Sequence, residues 1–250
     1  MSKFVIFTDL DGTLLNHDDY SFDEAKDMIS FLNKNKIPII FATSKTKKEC
    51  EALQKKMSIA DPFIVENGAA IFFPKQNKIV KLGLSHKEIK KFIDIIKDKF
   101  EILSFSDMSI TQIIKYTNLS YDEAKMASQR EYSEVFLIKD QKKLDKLEIL
   151  ANKYGLKIIK GGRFYHLVSI DQDKANALLY LMNYYKDKIS IALGDSYNDI
   201  NMLKVADIAI LLPQNSDKFI DLSLPNLIKA PYKGAKGWSE SLKKVLKQYE

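Results

Sequence analysis

The sequence predicts an α/β fold: a doubly wound parallel sheet with helices on both faces, carrying a second, inserted α/β unit. Three observations predict it. Short β-branched and aromatic runs alternate with longer segments of helical period, first over residues 4–57 and again over 174–213. The middle of the chain mixes helices and strands in a different order. No Gly-, Pro- or Ser-rich linker marks the joins, so the middle is packed on its host rather than tethered to it.

The elements follow in order. KFVIF reads as a buried strand and residues 23–35 as an amphipathic helix; IPIIFAT is a second strand, followed by the helical KTKKECEALQKKM. PFIVEN, AAIFFP and KIVKL read as strands separated by turn residues. In the middle, helices over 87–100 and 122–130 accompany the strands VFLIK, LKIIKG and FYHLVSI. The helix 174–185, the strand ISIALGDS, the helix DINMLKVA and the strand DIAILLP then restore the first grammar, and WSESLKKVLKQY closes the chain as a helix. Strand–helix–strand alternation implies parallel strands with covering helices. The expected division is a core of residues 1–83 and 170–250, with an inserted cap of residues 84–169.

Composition limits the function classes. Of 250 residues, 46% are hydrophobic and 29% charged, which is enough for a packed core and far from disordered chains. A single cysteine, Cys50, excludes an internal disulfide framework. The start of the chain lacks the apolar segment of a signal peptide, and the longest apolar runs fall well short of the roughly 18 residues of a membrane span. A soluble, cytoplasmic protein without a membrane partner is expected. The net charge is +6, but lysines stand beside Asp or Glu throughout, with no basic stripe interleaved with aromatics. That pattern is a solvated surface, and no nucleic acid partner is expected.

Chemistry concentrates at two acidic motifs. In FTDLDGT, Asp9 and Asp11 leave the end of an apolar strand two residues apart, and in open α/β sheets that edge binds ligands. Gly12 allows a sharp turn and Thr13 can cap it or contact an anion. GDSYND places Asp195 and Asp199 past the end of another buried strand, so sheet topology can bring all four acids together. Such an oxygen-rich site suits Mg²⁺, whose charge relieves the repulsion of clustered carboxylates. Thr43 and Ser44, with Lys45 behind them, close a strand ahead of a helix, where hydroxyls and free N–H groups form an anion cradle; an N-cap is the alternative. Lys174 opens a helix and offers a point charge to a phosphoryl group or to Asp9.

In chain order the set reads DxDGT, Thr, Lys, GDxxND, and it resembles the phosphatases of the haloacid dehalogenase superfamily, with a Rossmann-like core. ENGA at 66–69 resembles the branch with a large α/β cap. Residues 107–136, GGRFYHL and APYKGAKGW resemble the mannosyl-3-phosphoglycerate phosphatase family. Ala175 departs from the pattern, which commonly reads Lys-Gly at the third motif. The resemblance implies an aspartyl-phosphate mechanism acting on a small sugar phosphate. Asp9 is then the nucleophile, while Asp11 protonates the leaving sugar oxygen and afterwards activates water. Mg²⁺ is held by Asp9, the Asp11 main-chain carbonyl and Asp195, with Asp199 or Asn198 in support. Thr43 and Lys174 stabilise the transferring phosphoryl group. A glucosyl-3-phosphoglycerate phosphatase and a phosphomutase are the neighbouring readings. The sequence carries no signal of oligomeric state.

The arginines make a separate argument. Among 39 basic residues only Arg130 and Arg163 are arginine, and both lie in the expected cap. A planar guanidinium grips carboxylate or phosphate at two points, which lysine cannot do. Both are therefore expected to bind the substrate's anionic groups, together with Ser44 and Lys45. A structural ion pair of Arg130 with a neighbour such as Glu134 is the alternative. His166 is expected to hydrogen-bond within the cap, and Trp238 to pack.

Overall fold

The computed structural model describes residues 3–161 and 164–249. Its largest sheet has five parallel strands in the order β12-β11-β10-β1-β2: β1 (Phe4–Thr8), β2 (Ile39–Phe41), β10 (Ile189–Gly194), β11 (Ile208–Leu211) and β12 (Leu227–Lys229). Successive side chains point to opposite faces, and both faces are covered, so the strands read as continuous apolar runs. Phe4, Ile6, Ile39, Phe41, Ile191 and Leu193 pack on one side with α1 (Lys26–Lys34), α2 (Lys47–Met57) and α9 (Gly234–Lys247). Val5, Phe7, Ile40 and Ala192 pack on the other, against α7 (Lys174–Tyr184) and α8 (Ile200–Val205). Trp238 is fully buried, and its indole N–H donates to Thr8 Oγ1 at 3.0 Å, so the ring also braces the end of β1.

The runs PFIVEN, AAIFFP and KIVKL form an antiparallel sheet of their own, β3 (Phe63–Val65), β4 (Ala70–Phe73) and β5 (Lys78–Lys81), rather than joining the parallel sheet. The links between them are too short to hold the crossover that parallel neighbours need.

A further sheet, order β6-β7-β9-β8 and antiparallel, is built from β6 (Ile102–Ser104), β7 (Glu134–Ile138), β8 (Leu156–Lys160) and β9 (Tyr165–Ser169). One face buries Phe136, Ile138 and Leu167 against α3 (His86–Phe100) and α6 (Leu144–Lys153). The opposite face packs Val135 against α4 (Ile110–Thr117) and α5 (Tyr121–Ala127). This second core lies wholly within the stretch expected to be inserted. Pattern reading misses β6, β12, α4 and α6; the two strands have three residues each, too few for a period to stand out. The helix expected over 122–130 ends at Ala127, which leaves Arg130 in the segment leading to β7. Helices α2, α3, α4 and α5 all begin with capping boxes, on Thr46, Ser85, Ser109 and Ser120.

Candidate active site

β1 and β10 are parallel neighbours, with Thr8 opposite Leu193, so the residues that follow them emerge side by side at the carboxyl edge. The chain passes from β1 to β2 on one side and returns through β10 on the other, which makes this the switch point of the sheet. Asp9, Asp195 and Asp199 meet there: all three are buried, and one carboxylate oxygen of each lies within 4.8 Å of the others. Lys174, at the start of α7, is fully buried and donates to Asp9 Oδ1 and Asp199 Oδ1, at 2.7 Å each. Asp199 is oriented by its own loop, accepting the backbone N–H groups of Asp195 (3.1 Å) and Ser196 (3.0 Å) on Oδ2. Asp195 accepts from Thr13 Oγ1 at 3.2 Å, and His17 Nε2 stands 3.3 Å from its other oxygen. Gly12 has φ +82°, and a Cβ there would fall within 3 Å of both His17 and Asp195; only glycine fits.

The electrostatics follow from this crowding. Burial pushes the Asp9 carboxyl well up; Lys174 draws it down, while Asp199 and Asp195 push it up again. Asp195 is raised chiefly by burial, against the pull of His17. Burial also disfavours the Lys174 ammonium, yet Asp199 and Asp9 outweigh it and hold the group above the ordinary lysine range. Three carboxylates therefore share one ammonium and a neighbouring imidazole. The donor set is hard oxygen with an excess of negative charge, and it fits a divalent cation such as Mg²⁺.

Asp11 is the exception to the expected convergence of four acids. Its carboxylate is 38% exposed and turns to Lys45 Nζ at 3.0 Å instead of joining the buried three, because Lys45 reaches across from the loop after β2. Burial acts against that ammonium too, but Asp11 and Glu49 outweigh it and hold it protonated. The N-cap alternative for Thr43 and Ser44 falls away, since Thr46 is the residue that caps α2. Thr43 is buried and accepts the Lys45 N–H at 3.2 Å. The β3–β4 turn Glu66–Asn67–Gly68 then ties these loops together. Asn67 N–H donates to Thr43 O (2.8 Å), Asn198 Nδ2 donates to Asn67 Oδ1 (3.0 Å), and Gln172 Nε2 donates to Glu66 O. Gly68, at φ +95°, lies so close to the Asp173–Lys174 backbone that a Cβ would collide with it.

Comparison with known proteins places this geometry. Residues 6–223 match the family model described as haloacid dehalogenase-like hydrolase. The chain belongs to this family. Two relatives, from Persephonella marina and Methanococcoides burtonii, are each named glucosyl-3-phosphoglycerate/mannosyl-3-phosphoglycerate phosphatase. The first is 48% identical over 264 aligned positions, covering 98% of both chains, and the second is 37% identical, covering 96% of both. A solved structure from Thermoplasma acidophilum is similar at a TM-score of 0.76 and 19% identity, covering 98% of this chain and 99% of its own, which speaks to the fold.

In this haloacid dehalogenase-like hydrolase the expected cap residues have mixed fates. Arg130 is buried and already engaged: Nη2 donates to Ser44 O (2.6 Å), Nε donates to Ser133 Oγ (2.8 Å), and Nε lies 3.6 Å from Glu66 Oε2. Its internal carboxylate is Glu66, not Glu134, which pairs with His86 at 2.8 Å. Ser44 thus meets Arg130 through its carbonyl. Arg163 lies outside the described residues. His166 Nδ1 is buried without a partner among the described residues. Nothing in residue type or spacing marks His17; Glu66 opens the ENGA motif noted for its resemblance, but nothing in that motif assigns its carboxylate a partner.

His166 gives a pH prediction. Burial, then Arg130 and Lys174, pull its pKa down to about 3. Between that value and the unfolded value near 6.5 only the unfolded chain takes up the proton, so stability is present at neutral pH and lost as pH falls. Against a His166→Asn variant, the native chain should lose about 2 kcal/mol more between pH 7 and pH 4.5. Urea melts of both at each pH measure it, and parallel pH profiles would refute it.

Proposed function

We propose that this hydrolase is a Mg²⁺-dependent phosphatase of mannosyl-3-phosphoglycerate and glucosyl-3-phosphoglycerate. The observation that carries the reading is the buried Asp9 carboxylate, held 2.7 Å from Lys174 at the sheet's carboxyl edge. Its position suits in-line attack on phosphorus: the Asp9–phosphorus bond forms as the bond to the leaving oxygen breaks. Asp11 gives that oxygen its proton, then takes a proton from the water that cleaves the aspartyl-phosphate, releasing phosphate and restoring Asp9. Lys45, 3.0 Å away, positions Asp11 for both steps. Lys174 and Thr43 offset the charge on the transferring group's oxygens. Mg²⁺, held by Asp9, Asp195, Asp199 and the Asp11 main-chain carbonyl, supplies charge neutralisation when bound.

The division into a core of 1–83 and 170–250 and a cap of 84–169 belongs to the same proposal, and is supported by the separate apolar cluster of the antiparallel sheet. The cap would supply contacts to glycerate and sugar, with Arg163 as its anion-binding group and Arg130, already held by Ser44 O, Ser133 Oγ and Glu66, in a positioning role. The relatives' names carry both sugars, so both substrates are proposed equally. No helix among the described residues is long and apolar enough to cross a membrane.

Phosphate release from a panel of sugar phosphoglycerates and simple phosphomonoesters, with and without Mg²⁺, tests the reading. We expect the two phosphoglycerates to lead the panel, and chelation to cut their turnover at least about a hundredfold, reversibly. Full activity in chelator would refute the metal's role. A panel in which the phosphoglycerates fare no better than p-nitrophenyl phosphate would refute the substrate.

A further inference from the structure

Glu66 is fully buried, lies at the tip of a hairpin in the core, and spends its carboxylate on the other half of the molecule. Oε1 accepts the backbone N–H of Glu131 at 2.8 Å, while Oε2 accepts the N–H of Tyr132 at 3.1 Å and the Ser133 hydroxyl. Arg130, next in that segment, reaches the loop of Thr43 through Ser44 O. A parallel tie joins Thr46 Oγ1 to Met126 O at 3.0 Å. Residues 126–133 belong to neither chain crossing of the proposed cap. The crossings run past the same turn: Leu82 and Gly83 donate to Ala69 O, and Gln172 donates to Glu66 O. Two covalent crossings leave a cap free to swing about them, and a buried, charge-assisted clasp on a third segment removes that freedom.

We propose that Glu66 is a specificity-determining positioning residue: its carboxylate clasps residues 131–133 onto the core, so that Arg130 stands beside Ser44 at the phosphoryl loop. The turn that carries Glu66 also holds Thr43, Asn198 and the Asp173–Lys174 backbone. The clasp therefore sets the cap segment that carries Arg130 in register with the groups that surround the phosphoryl position. A substrate large enough to touch both cap and core gains from that register. A phosphomonoester too small to reach the cap does not. The proposal rests on the phosphoglycerate reading above for its large substrate, but the clasp can be observed without it.

The test uses Glu66→Gln, which keeps the shape but replaces an acceptor oxygen with an N–H₂ facing backbone N–H groups. A Ser133→Ala variant removes one of the three donors to Glu66, and with it the acceptor of Arg130 Nε–H. In Glu66→Gln, kcat/KM for mannosyl- and glucosyl-3-phosphoglycerate should fall about ten- to a hundredfold, mainly through KM, the range for losing charge-assisted hydrogen bonds. With p-nitrophenyl phosphate it should stay within about threefold, since no transition-state contact is lost. Amide exchange at Glu131 and Tyr132 should quicken at least about tenfold while amides of the parallel sheet hold their rates. Ser133→Ala should move both readouts the same way by less.

Equal losses on large and small substrates would overturn the proposal, since a merely structural role lowers both. Unchanged exchange at Glu131 and Tyr132 in both variants would overturn it as well, even if Glu66→Gln were poorly folded, because Ser133→Ala would still report. Failure of the native enzyme on the phosphoglycerates would instead count against the substrate reading, leaving the exchange data to decide the clasp.

Discussion

Asp9→Asn should abolish phosphate release while leaving the fold intact. The substitution keeps the size of the side chain and its place at the end of β1, but a carboxamide does not form the acyl-phosphate bond. Loss of a covalent nucleophile typically costs at least about 10⁴-fold in turnover, since the remaining groups can only bind and polarise the substrate. Stability points the other way. Burial and two neighbouring carboxylates push the Asp9 carboxyl up, so its charged form is disfavoured where it sits. Removing that charge leaves Lys174 with Asp199 at 2.7 Å, a balanced buried pair. Circular dichroism and thermal melting should match the native chain or exceed it. Steady-state phosphate release from the best panel substrate gives the other half of the test. Turnover within tenfold of native would remove Asp9 from the chemistry, and a collapse of the melt would show that its role is structural.

The parts of this site that can be read in the sequence share one property: each sits just beyond a strand or at a helix start that can itself be read. Asp9 and Asp195 follow unbroken apolar runs that periodicity identifies, and Lys174 follows a helix-capping aspartate. Strand order then brings them together without knowledge of any side chain. Asp11 shows where this reasoning stops. Its position at the sheet edge is legible, but its partner is chosen by the reach of Lys45, which depends on a rotamer and not on spacing. Arg130 is a harder case. Its scarcity in a lysine-rich chain suggests a substrate anion as its partner, whereas the structure engages it internally, as the ion-pair alternative has it but with Glu66 in place of Glu134. The contacts it makes, to Ser44 and Ser133 with Glu66 near by, lie partly in elements more than sixty residues away, and only the packing of one sheet on another brings them together. Likewise β3, β4 and β5 are each legible as strands, yet their separate sheet follows from link lengths that a pattern of apolar residues does not weigh.

Lys174→Met tests the electrostatic core of the site more severely than any change to a carboxylate. Methionine matches the length of the aliphatic stem, so packing is nearly kept and the ammonium alone is lost. Asp9 and Asp199 are then buried beside Asp195 with no cation between them. Removing one partner of a buried ion pair typically costs about 3–5 kcal/mol, because the remaining charge stays desolvated. The cost should depend on pH. Without the ammonium that draws it down, the already raised Asp9 carboxyl rises further, beside the raised Asp195, so the folded chain binds protons that the unfolded chain has released. Stability is then retained at low pH and lost as pH rises through the raised folded values. Urea melts should show a larger penalty at pH 7.5 than at pH 4.5. Adding Asp199→Asn should recover part of it, as expected of two groups that share one interaction. A penalty below about 1 kcal/mol, far under that of a broken buried pair, would mean that the three acids are not held together by Lys174. A penalty that does not change with pH would mean that packing, not charge, is what the lysine provides.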